Sequence, residues 1–86
     1  MDEDVLLASL ARTCGACPAQ WEGVATDGRI VYVRFRYGSL QVGIGDSLDE
    51  AVYNRDQVWT SSDELDGSMD TSEMLMLTDM SLEASR

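Results

Sequence analysis

Cys14-Gly15-Ala16-Cys17 is the first place where this chain could do chemistry. A CxxC pair is either a redox centre or half of a metal site. Zinc takes about four ligands, mostly Cys and His, and this chain has 2 Cys and no His. A redox CxxC belongs to a βαβ setting, whereas the segment before Cys14 reads as a helix. The pair is therefore expected to be two small apolar residues at a helix end, with no metal and no cofactor. Arg34 and Arg36 are the second place. With Tyr32 and Arg29 they interleave arginine and aromatic residues, the pattern of a sheet face that stacks single-stranded nucleic acid. The third is a run of carboxylates: Asp56, Asp63, Glu64, Asp66, Asp70 and Glu73. Their spacing lacks the ligand and glycine positions of an EF-hand. All 6 basic residues are Arg, so neither an imidazole base nor an amine nucleophile is present. No enzyme is expected.

The charge is unevenly spread. Ser39 to Arg86 holds 11 carboxylates against two arginines, a net of −9, while Met1 to Gly38 holds five against four, a net of −1. A whole-chain charge of −10 repels phosphate at long range, which argues against direct nucleic-acid binding. Arg34 and Arg36 are then expected to pair with the chain's own Asp46, Asp49 and Glu50. The acidic half favours a basic protein partner. Duplex DNA carries one charge per about 1.7 Å, so nine charges correspond to roughly 15 Å of duplex. Screening over about 8 Å requires the acids to cluster if they are to imitate it. Solubility and helix capping account for the rest of them.

With 86 residues and 44% hydrophobic content, the chain reads as a single small acidic domain, residues 1–86, with a modest core. No apolar run approaches a membrane span. Met1-Asp2-Glu3-Asp4 is acidic where a secretory signal is basic, so a cytoplasmic location is expected.

The elements follow from pattern. Asp2 or Asp4 caps a helix over about Asp4 to Thr13, with Val5, Leu6, Leu7 and Leu10 as its apolar stripe. Strands are predicted over Gln20–Thr26, Ile30–Tyr37 and Leu40–Ile44, turned at Asp27-Gly28 and Gly38-Ser39. Ser47 and Glu50 form a capping box for a helix to about Asn54. Ser61 to Glu64 and Asp70 to Glu73 suggest two more caps, the second opening a helix to about Glu83. The expected fold class is α+β: a three-stranded antiparallel β-meander with one N-terminal helix and two to three short C-terminal helices. In the last helix, Met76, Leu77 and Met80 fall on one side and Met74, Leu75 and Leu82 roughly opposite or beside it, so two sides need cover.

Cys17-Pro18-Ala19-Gln20-Trp21-Glu22-Gly23, followed by Asp27-Gly28-Arg29 and the hairpin from Tyr32 to Ile44, resembles small proteins of phage and prophage neighbourhoods. Size and acidity resemble phage anti-restriction and anti-CRISPR inhibitors. That resemblance implies a stoichiometric inhibitor in the host cytoplasm, bound to a CRISPR effector complex subunit in its DNA path. The function expected is a non-enzymatic inhibitor that docks on a basic, nucleic-acid-binding surface by DNA mimicry through Asp56, Asp63, Glu64, Asp66, Asp70 and Glu73. The alternative is an acidic adaptor that forms a homodimer through Met74, Met76, Leu77 and Met80.

Overall fold

The computed structural model describes residues 5–15, 19–61 and 69–82. Their elements are β1 (Val5–Gly15), β2 (Ala19–Ala25), β3 (Ile30–Arg36), β4 (Ser39–Gly45), α1 (Leu48–Tyr53), β5 (Asp56–Thr60), α2 (Thr71–Thr78) and β6 (Met80–Leu82). The strands form a curled, mixed half-barrel sheet in the order β5-β4-β3-β2-β1-β6. All neighbours pair antiparallel except β1 and β6, which run parallel.

This corrects the expected fold class. The predicted strands are present, but they are the centre of a six-stranded sheet rather than a free-standing meander. The predicted N-terminal helix is strand β1. Its apolar spacing is helix-like because of an irregularity in the ladder: Leu7 pairs with Ala25, yet Ser9 pairs with Val24. A residue inserted in this way shifts the strand's alternation by one. Val5 and Leu7 point into the core, and beyond the shift Leu10 and Arg12 sit opposite Gly23 and Trp21. The resulting 5, 7, 10 pattern imitates a helical stripe. Strand β5 was also unforeseen, although Val58, Trp59 and Thr60 are strand-favouring residue types.

The concave face holds the core. Trp21, Val31, Val33, Phe35 and Leu40 are fully buried there, with Leu7 and Met74. Helix α2 contacts both edge strands, β5 and β6, and so covers the opening of the half-barrel. Two bonds fix its start: Trp21 Nε1 donates to Thr71 Oγ1 at 2.9 Å, and Arg12 Nη2 donates to the Met69 carbonyl at 2.7 Å. The guanidinium of Arg12 also lies 5.2 Å from the centre of the Trp21 ring. The helix is shorter than predicted. It ends where Asp79 takes a left-handed conformation, φ 57°, which Asp tolerates better than most residues. Thr78 closes the last turn by donating its hydroxyl to the Met74 carbonyl at 2.8 Å. Met80 to Leu82 then pair with Val5 to Leu7.

The convex face carries α1, seated on β4 and β3. Ser47 caps it as predicted, its side chain accepting from the Glu50 amide at 3.2 Å. Gly43 makes this seat possible, because a Cβ there would overlap the Ala51 carbonyl.

Candidate functional site

The alternation of β3 sends Val31, Val33 and Phe35 inward and Ile30, Tyr32, Arg34 and Arg36 to the convex face. Register then decides their company. Arg34 pairs with Gln41 and Arg36 with Ser39 on β4, and Gln41 pairs with Gln57 on β5. Arg55, in the link between α1 and β5, reaches the same ground. Arg34, Arg36, Tyr37, Ser39, Gln41 and Arg55 together line a cavity of about 290 Å³. Three arginines thus line one space, with no carboxylate among the described residues of its lining.

Each of these arginines is held differently. Arg36 Nη2 donates to the Tyr37 hydroxyl at 2.9 Å, and its guanidinium lies 4.6 Å from that ring's centre. Arg55 Nε donates to the Val52 carbonyl at 2.9 Å, with its guanidinium 5.9 Å from the centre of the Tyr32 ring. Arg34 Nε is buried and has no hydrogen-bond partner. Behind them, Gln20 Nε2 donates to the Tyr32 hydroxyl at 2.8 Å, and Ser39 Oγ donates to Gln57 Oε1 at 2.8 Å. Tyr37 and Gly38 turn the chain at the rim with φ of 53° and 74°. Positive φ at both central positions suits a tight hairpin, yet it is costly for a tyrosine.

The expected pairing of Arg34 and Arg36 with Asp46, Asp49 and Glu50 is not observed. The one ion pair among the described residues is Arg29 Nε with Asp27 Oδ2 at 2.7 Å. The sheet explains why. Glu50 lies against Gly45, four strand residues beyond Gln41, a distance of about 13 Å at ~3.3 Å per residue.

The predicted acidic site is only partly described. Asp56 starts β5, Asp70 precedes α2 and Glu73 sits in its first turn, all three exposed. Asp63, Glu64 and Asp66 lie outside the described residues. Of the predicted self-association set, Met74 and Met80 are in the chain's own core, Leu77 is half-buried and Met76 is 70% exposed. Cys14 belongs to β1 and pairs with Gln20 rather than ending a helix, and Cys17 lies outside the described residues. No group of three metal-ligating side chains occurs among the described residues. No helix among them is long and apolar enough to cross a membrane.

Sequence reasoning missed Arg55, Gln41 and Ser39 as parts of one site. Gln41 and Ser39 were readable from strand alternation once β3 and β4 were paired. Arg55 was not, because its place depends on how α1 folds back over Gly43.

No protein-family model, curated protein or solved structure matches this chain.

Proposed function

We propose that this protein is a non-enzymatic inhibitor that acts by charge, occupying a basic, nucleic-acid-binding surface of a host defence complex. One observation carries the reading. Asp46, Asp49, Glu50, Asp56, Asp70, Glu73 and Asp79 are all exposed, and none is neutralised by an arginine of the same chain among the described residues. The charge of these seven acids, within a net of −10 for the chain, is left for a partner, and a basic partner gains most from it. Asp46, Asp49 and Glu50 follow β4 at the end of the sheet where Ile30 pairs with Gly45, so these three acids are grouped by the fold.

The test is competition. A DNA-binding CRISPR effector complex is titrated with the protein at low salt, and DNA binding is followed by fluorescence anisotropy. Displacement that weakens steeply with added salt is expected, because the contacts are ionic. Reversing Asp63, Glu64 and Asp66 together to Arg is expected to weaken displacement more than reversing Asp2 and Glu3. Unchanged DNA binding at low salt across basic effector complexes would sink the proposal.

A further inference from the structure

We infer that the Arg34–Arg36–Arg55 cavity is a binding site for a compact phosphate group, the dianion of a small phosphate monoester or free phosphate. The inference needs only this cavity and stands apart from the acidic-surface reading. Three features support it. The first is the lining: three arginines, a tyrosine, a serine and a glutamine, with no carboxylate among the described residues. Arginine is always protonated and presents donors in a rigid fork that fits phosphate oxygens. Like charges brought together repel unless an anion joins them.

The second is the orphan at Arg34. Its Nε is buried without a partner, a state that costs stability and calls for an explanation. A small turn of the Arg34 side chain would bring that donor to an anion oxygen in the cavity. The third is preorganisation. Arg36 is held against the Tyr37 ring and Arg55 is tied to the Val52 carbonyl, so little side-chain freedom is lost on binding. Tyr37 keeps φ at 53°, and such strained residues cluster at ligand sites.

Size and field select the ligand. A cavity of about 290 Å³ lies at the small end of ligand pockets, a size that suits one compact group. The surrounding acids repel a polyanion, but screening within about 8 Å leaves a single phosphate group governed by the three nearby arginines. Three cationic forks also exceed what one carboxylate can accept, which favours phosphate over acetate-like anions.

The experiment follows the arginine Nε–Hε resonances of the ¹⁵N-labelled full chain by NMR. Probes are inorganic phosphate, glycerol phosphate and acetate, each against chloride at equal ionic strength. The Arg34 resonance is expected to move saturably with both phosphate probes and not with acetate, and the tighter of the two identifies the physiological form. Arg34→Lys keeps the charge but removes the orphan Nε–H and is expected to weaken binding at least tenfold, followed by calorimetry. Arg29→Lys, at the far end of the sheet, is expected to bind as the wild type does. Should Arg34→Lys fail to fold by circular dichroism, Arg55→Lys reads the same loss. No saturable shift with either phosphate probe, or acetate binding as tightly as phosphate, overturns the inference.

Discussion

Asp27 and Arg34 show how differently two charged side chains of one small protein are settled. Asp27 sits in a turn where its Oδ1 accepts from the Arg29 amide at 3.1 Å and its Oδ2 from Arg29 Nε at 2.7 Å. The amide bond is the leading cause that holds its carboxyl below the ordinary value of 3.8, and the arginine side chain adds to it. A carboxyl lowered by folding stabilises the fold in full above its unfolded value, and that contribution is lost as pH falls through the folded value. Asp27→Asn is therefore expected to lower the urea midpoint at neutral pH and to match the wild type once pH is well below 3.8. Both side chains are about half exposed (46% and 54%), so the difference should be small. An offset that persists unchanged into acid would show that the carboxylate is not its source. This pair was not foreseen from the sequence, although both partners share one turn. The surroundings of Arg34 were not legible there, because its neighbours come from β4 and from the link after α1, and only the register of the sheet brings them together.

At the scale of elements, local signals sufficed where local bonds decide. The Ser47 cap, the β2–β3 turn and the alternation of β3 are all contained in a few consecutive residues. Strand β1 was misread because the irregular ladder it forms with the adjacent β2 gives it a helix-like spacing, and its other partner, β6, lies more than sixty residues away. Helix propensity in Leu- and Ala-rich sequence is a weak preference that tertiary pairing overrides. Likewise α2 was drawn too long, since the partner that ends it, β1, had been assigned to a helix. The strand assignment has a sharp consequence. Leu7 is fully buried and Leu6 is 45% exposed, as neighbours on a strand must face opposite ways. Leu7→Ala is expected to cost about 2–5 kcal/mol, and Leu6→Ala to stay within about 0.5 kcal/mol, both from urea unfolding. Comparable losses at the two positions would contradict β1. Protection of the β1 amides from hydrogen exchange, alongside those of β2, is a second readout of the same pairing.

At the scale of the whole molecule, and among the described residues, Asp27 alone pairs with an arginine, the acids from Asp46 to Asp79 are exposed without an ion pair, and three arginines line one cavity. The response to salt separates two cases. Where surface ion pairs stabilise a fold, screening weakens them and salt destabilises it. Where a net charge of −10 acts mainly through repulsion, screening relieves the compact state. Sodium chloride raised from about 0.01 M to 0.15 M, which shortens the screening length from about 30 Å to 8 Å, is therefore expected to increase the melting temperature. A gain of about 1 kcal/mol would appear as roughly 4–8 °C in a domain of this size. Chloride is the right salt because phosphate would also stabilise the fold by binding to the arginine cavity, which mixes two effects. Arg34→Gln takes one charge from that cavity and makes the net charge more negative, so it is expected to steepen the response to chloride. A melting temperature that falls with chloride would instead place the arginines in ion pairs with the acids, and would remove the free charge on which recognition of a basic partner depends.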